Sequence, residues 1–238
     1  MNRFLRNPTL MFFILLMAFQ AMRSGQYSNP MQWLMSIIIL LPGIIIGLSF
    51  HEFAHAKVAT MCGDPTPKMQ GRVTINPAAH VDPIGLLALI FVRFGWGKPV
   101  MINPSNFRKP RRDELFVSVA GVAMNFIVAT VFMGILRLLY EFQLEFMISD
   151  LGRILNEVLI QVVIINIVLM IFNLLPIPPL DGFNILTQIF NLRNTEFYYR
   201  VYDKGFLILI ILILFNITGR VLTPLVYYVF NFLYGIFF

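Results

Sequence analysis

The sequence predicts an all-α polytopic membrane protein of about six transmembrane helices, with a re-entrant loop and small β-sheet between the second and third spans. Composition is the first observation behind this. Of 238 residues, 58% are hydrophobic and only 13% are charged, and the mean hydropathy is +0.77. A soluble domain is nearer half apolar and a quarter charged. The second observation is that apolar runs long enough to cross a bilayer alternate with short polar segments. The third is a stretch, 62–112, in which seven prolines interrupt that pattern. The length suits one helical bundle, so residues 1–238 are read as a single domain.

Charge narrows the partners. The net charge is +6 and the isoelectric point about 9.7, but the basic residues are dispersed through loops. That pattern argues against nucleic acid and for anionic lipid and membrane topology. Cys62 is the only cysteine, which excludes an intramolecular disulfide and any multi-cysteine metal site.

The chain opens with Arg3 and Arg6 and an apolar stretch from about Thr9 to Met22. No small-x-small cleavage site follows, so this reads as a retained, short or tilted first helix. Residues 33–61 form the second span, with a kink expected at Pro42-Gly43. Its far end carries His51-Glu-Phe-Ala-His55. On a helix, His51 and His55 share one face, and two imidazoles at that spacing can hold one metal ion. Glu52 follows, where it can reach a water on the same ion. This is the His-Glu-x-x-His arrangement of metal-dependent proteases. The bland alternative, two packed histidines beside a stray glutamate, is costly in a membrane, where ionisable residues usually mark function.

Residues 62–112 cannot be one helix. Short β-like runs, 72–75 and 99–102, flank an apolar segment, Ile84–Phe94, too short to span. Irregular backbone survives at membrane depth only when covered by protein or lining a wet cavity. A re-entrant loop beside the metal motif follows, with strand edges able to pair with an extended peptide.

Residues 113–142 form the next span, opened by Asp113-Glu114 in keeping with a helix N-terminus. Ser118, Ala120, Gly121 and Ala123 allow close helix packing, and Asn125 reads first as interhelical polar glue. Residues 153–175 form a span made polar by Gln161, Asn166 and Asn173. It stops at Pro176-Ile-Pro178-Pro179 and resumes as a short helix to about Phe190, with Asp181-Gly182 at the joint. Asp181 is either a carboxylate presented by a broken helix or an ordinary loop residue. Residues 205–238 are apolar again, divided at Thr218-Gly219-Arg220 and Pro224 into two helices or one long bent one, with interfacial tyrosines near the end.

Loops 62–112 and 191–204 are basic, and the turn near 141–150 is acidic. Basic loops stay cytoplasmic. Both termini and the metal motif are therefore expected on the cytoplasmic side of what is expected to be the plasma membrane. A catalytic zinc takes three protein ligands and one water. His80 is the only other histidine, so a carboxylate is the natural third ligand and Asp181 the candidate. Glu141, Glu145 and Glu157 fall towards the opposite face.

At this point the sequence resembles the site-2 protease family of intramembrane zinc metalloproteases, in its compact branch without a PDZ domain. The matching stretches are His51-Glu-Phe-Ala-His55-Ala and Asn173-Leu-Leu-Pro-Ile-Pro-Pro-Leu-Asp181-Gly182. Between them lie Gly71–Gly85, Gly95–Val100 and Val119-Ala-Gly-Val-Ala-Met-Asn125, in the family's order. The resemblance implies His51, His55 and Asp181 as ligands of Zn2+, Glu52 as general base, and Asn125 as a catalytic residue near the scissile bond. It implies a core of about 33–190 followed by C-terminal helices at 203–238. It also implies hydrolysis of peptide bonds in or near the membrane segments of single-pass substrates, as in regulated intramembrane proteolysis. The chain departs from the family at Gly121-Val122, where Gly-Pro is usual, and at Phe183-Asn184 after the aspartate. His80 reads as support for the re-entrant loop. Three rival readings stand beside this one: a proteolytically silent protein of the same fold, a membrane protease taking a glutamate such as Glu157 as third ligand, and a transporter using the broken helix.

Overall fold

The structure, a computed structural model, describes residues 19, 28–92 and 95–238. The first expected helix, Thr9–Met22, lies outside the described residues apart from Phe19. Among the described residues, four helices are long and apolar enough to cross a membrane. They are α1 (Pro30–Met61), α5 (Pro110–Phe142), α7 (Asp150–Asn173) and α10 (Ile217–Phe237). Shorter helices fill the intervals: α2 (Thr66–Met69), α3 (Pro77–His80), α4 (Pro83–Val92), α6 (Leu144–Met147), α8 (Asp181–Ile189) and α9 (Glu196–Leu214).

Local chemistry sets these boundaries. Pro30 occupies the first turn of α1, where its missing N–H costs nothing, and the Asn29 side chain accepts the Gln32 N–H at 3.2 Å. At 32 residues α1 is about 48 Å long, and it continues through Pro42. Ser149 caps α7 by accepting the Gly152 N–H at 3.1 Å. Two expectations fail here. The C-terminal region does not divide at Thr218-Gly219-Arg220 or Pro224, because α10 runs through both. The break is at Phe215-Asn216, where Asn216 takes φ +54°, a left-handed conformation that asparagine tolerates better than most residues. Glu196, Arg200, Asp203 and Lys204 occupy the first half of α9, leaving an apolar stretch too short to span. The described residues thus hold four helices fit to span, and the expected first span lies outside them.

The expected small sheet is also absent among the described residues, where Val81 and Gly97 form one isolated antiparallel bridge. The groups that would build a ladder are already engaged. Val100 N–H is held by Glu52 Oε2 at 3.0 Å, Asn103 N–H by Asp64 Oδ2 at 2.7 Å, and Thr74 O by His80 Nε2–H at 2.7 Å. Paired with side chains, these groups have no partner to offer a neighbouring strand.

Helices α1, α5 and α7 pack on one another, with α8 against α5 and α10 against α7 and α5. Close approaches give the directions. Gly47 lies against Asn166 and Leu169, and Gly43 against Val162, so α7 runs parallel to α1. His55 meets Val117 while Gly47 meets Asn125, so α5 runs antiparallel to both. Met133, Leu159, Val163, Ile167 and Leu233 fill the core at the far end from the motif. Apolar residues such as Ile38, Ile127, Val131 and Leu138 face outwards, as a lipid-facing surface requires.

The end of α1 is tied to the loop by one carboxylate. Asp64 is fully buried and accepts from Thr66 N, Thr66 Oγ1, Asn106 Nδ2 and Asn103 N. Burial opposes its ionisation, but these hydrogen bonds outweigh it and hold the carboxyl below its ordinary value. Asp64→Ala is expected to cost about 3 kcal/mol by stranding buried donors. Because the folded pKa is depressed, this stabilisation is present above the unfolded value and is lost as pH falls through the folded one. Thermal unfolding of wild type and Asp64→Ala in detergent, at neutral pH and near pH ~3, checks both: the gap between them should narrow in acid.

Candidate metal centre

The motif helix places His51 and His55 one turn apart, with Nε2 atoms 2.9 Å from each other. Asp181 Oδ2 lies 3.3 Å from both. Each imidazole has its other nitrogen committed: His51 Nδ1 to Asn125 Oδ1 at 2.6 Å and His55 Nδ1 to Val117 O at 2.7 Å. Both partners are oxygen acceptors, so each ring donates through Nδ1 and turns Nε2 towards Asp181. Asp181 Oδ2 is itself buried without a hydrogen-bond donor. Two ring nitrogens and a carboxylate oxygen converging in this way favour a cation among them.

The donor set fits zinc. Atoms about 2.0–2.1 Å from one tetrahedral ion lie roughly 3.3 Å apart, which the Asp181 distances match. Two histidines and a carboxylate are a usual catalytic zinc set, and oxygen partners behind both rings are the expected outer support. Among the described residues, His51, His55 and Asp181 form the group able to hold a metal. Glu52 lies outside it, next to His51 in sequence. His80 also lies outside it: it is fully buried, and its backbone O accepts the Lys98 N–H at 2.7 Å, so it braces the loop.

Asp181 is brought there by the break in α7. Since α7 runs parallel to α1, its end at Asn173 comes level with the histidines. The chain then turns through 174–180, and Asp181 opens α8, whose N-terminal dipole favours a carboxylate. Gly182 is required by proximity rather than by backbone conformation, because a Cβ there would sit 2.6 Å from Leu175 O. Gly121 matters more. A Cβ at that position would lie 2.6 Å from His51 Cε1 and 2.7 Å from His55 Cε1. The glycine read as general helix packing is therefore the wall against which both ligand rings rest.

Sequence reasoning missed several supports. Val117 contributes a main-chain oxygen, which carries no side-chain signature. Arg111 caps the far end of α8 by donating to Gln188 O at 2.5 Å and Ile189 O at 2.7 Å. Glu114 accepts from Gln188 and pairs with Arg193. These contacts fasten α8, and with it Asp181, to the start of α5. Only the run of charges beside the span hinted at them. Asn125 is fully buried; besides His51 it contacts Gly47 O at 3.2 Å and Asn166 Oδ1 at 3.0 Å.

A bundle of apolar helices around an internal His-His-Asp set is the frame of a membrane metalloprotease. Residues 37–215 match Peptidase family M50, and the chain belongs to that family, the site-2 proteases. A Bacillus subtilis (strain 168) protein named "Putative zinc metalloprotease YwhC" is 35% identical over 182 residues, covering 76% of this chain and 83% of its own. A Mycolicibacterium smegmatis protein named "Putative zinc metalloprotease Rip2" is 28% identical over 208 residues, covering 86% and 77%. No solved structure matches the chain.

Gly121→Ala should displace the ligand rings while leaving the donors in the sequence. The expected result is zinc loss of about 10-fold or more in affinity, with α-helical content unchanged, checked by metal analysis and circular dichroism of the purified variant.

Proposed function

We propose that this chain is an intramembrane zinc endopeptidase, a single domain that hydrolyses peptide bonds in or near the membrane segments of single-pass proteins. The observation that carries the reading is the convergence of His51 Nε2, His55 Nε2 and Asp181 Oδ2 with Glu52 adjacent on the same helix. Zinc bound there would acidify a water and polarise a substrate carbonyl. The residues supply the rest. Glu52 takes the proton from the attacking water and returns it to the leaving amine. Its Oε2 is meanwhile held by Val100 N–H at 3.0 Å, which aims the carboxylate and links it to the loop. Asn125, implied by the family resemblance to lie near the scissile bond, has its polar atoms turned to His51, Gly47 and Asn166, so its contribution to the reaction runs through the orientation of His51.

The site lies about 15 Å from the end of α1, counting from His51 to Met61, close enough to an aqueous face for hydrolytic water. A helical substrate must unwind to expose a carbonyl, because its backbone acceptors are internally paired. The irregular segment 97–102, held beside Glu52 through the Val100 N–H, is where the extended form would lie. The basic loops support cytoplasmic termini, in what we take to be the plasma membrane. Cys62, the only cysteine, reports on this: an impermeant maleimide added outside intact spheroplasts should leave it unlabelled, and outside labelling would reverse the orientation.

Separating metal from chemistry tests the reaction. Glu52→Gln is expected to keep one zinc per chain and lose about 10²–10⁴-fold in cleavage of a single-pass substrate. Asp181→Asn is expected to lose cleavage and also to weaken zinc, a neutral amide oxygen being a poorer ligand than a carboxylate. Near wild-type cleavage by Glu52→Gln would exclude the general-base role, and unchanged zinc affinity in Asp181→Asn would place the third ligand elsewhere.

A further inference from the structure

We infer that Asn166 of α7 is a positioning residue for the metal, acting through Asn125 on the proton of His51. The inference rests on the metal reading above and extends it beyond the ligands and their immediate partners.

An asparagine amide can be turned either way, and its surroundings decide which. Asn166 Nδ2 donates to Val162 O at 2.8 Å. A main-chain carbonyl is only an acceptor, so this contact fixes the Asn166 amide and leaves Oδ1 facing Asn125. Asn125 Nδ2 donates to that Oδ1 at 3.0 Å and to Gly47 O at 3.2 Å. Asn125 Oδ1 is then the atom left for His51, 2.6 Å from Nδ1. Polarity thus runs one way: carbonyl Val162, amide Asn166, amide Asn125, imidazole His51. If Asn125 turned over, its NH2 would face His51 Nδ1 and the ring proton would move to Nε2, the atom needed as a ligand. No solvent can substitute for a missing partner, since Asn125 and Asn166 are both 0% exposed and His51 is 6% exposed.

Asn166 touches no ligand, so its effect is indirect and testable without turnover. Full-length protein in detergent is titrated with zinc against a chromophoric chelator, and the visible spectrum of the cobalt-loaded protein is recorded. Asn166→Leu is expected to weaken zinc about 10-fold and to alter the cobalt bands. Asn166→Asp, protonated in this apolar setting, keeps an oxygen towards Asn125 and a donor towards Val162, and should restore both. In an Asn125→Asp background an oxygen faces His51 Nδ1 whichever way the side chain is turned. There, Asn166→Leu should add no further loss. An equal loss in both backgrounds, or unaltered affinity and spectrum in Asn166→Leu, would overturn the inference and leave Asn166 a packing residue. If Asn166→Leu does not fold, Asn166→Ala is judged by the same criteria. A wild-type protein that binds neither metal would overturn the metal centre itself, and this inference with it.

Discussion

The structure depends on holding two imidazole nitrogens and a carboxylate oxygen about 3 Å apart inside the helix bundle. Two imidazoles and a carboxylate do not settle in that arrangement by packing alone. Each imidazole must be held from behind, and an unpaired buried donor costs about 1–3 kcal/mol. The helices answer that need in turn. α1 puts the two rings on one face, α5 supplies an oxygen behind each of them and a glycine where a side chain would push them apart, and α7 ends early so that α8 can deliver Asp181. Around these, the contacts of Arg111 and Glu114 with α8 hold the carboxylate helix against the ligand helix. The fold gathers its candidate ligand atoms at the place where a cation would be held.

The proline-rich loop serves the same centre by a different route. Its main-chain amides end on carboxylates, Val100 on Glu52 and Asn103 on Asp64, while His80 closes the bend through Thr74 and Lys98. Backbone at membrane depth needs such partners when it is neither helix nor barrel. One consequence is that the base, the loop and the end of the motif helix form a single unit. A displacement at Asp64 would reach Glu52 through a short stretch of chain.

Much of this was legible in the residue pattern. His51, Glu52 and His55 are local: helical periodicity alone places two of them on one face, and no tertiary information is needed to see a metal pair. Asp181 was legible as a carboxylate at a helix break, because prolines stop a helix wherever it packs. The membrane class followed from composition, and α1, α5 and α7 from apolar runs of spanning length. The expected sheet failed because strand propensity at 72–75 and 99–102 says nothing about which partners lie nearby, and Glu52 had claimed the Val100 amide and His80 the Thr74 carbonyl. The expected division at Thr218-Gly219-Arg220 failed because a single left-handed asparagine, Asn216, turned the chain more readily.

What the sequence determined by itself, then, is chemistry carried by side chains at fixed chain spacing: the two histidines, the neighbouring base and the interrupted helix. What only the tertiary structure decided is direction. The parallel course of α7 beside α1 brings Asp181 level with the histidines and sets Asn166 behind Asn125. The antiparallel course of α5 turns the Val117 carbonyl and the bare Gly121 towards the ligand rings. Hydrogen bonds and steric contacts between helices depend on which faces meet, and residues far apart in the chain acquire that relation only when the bundle closes.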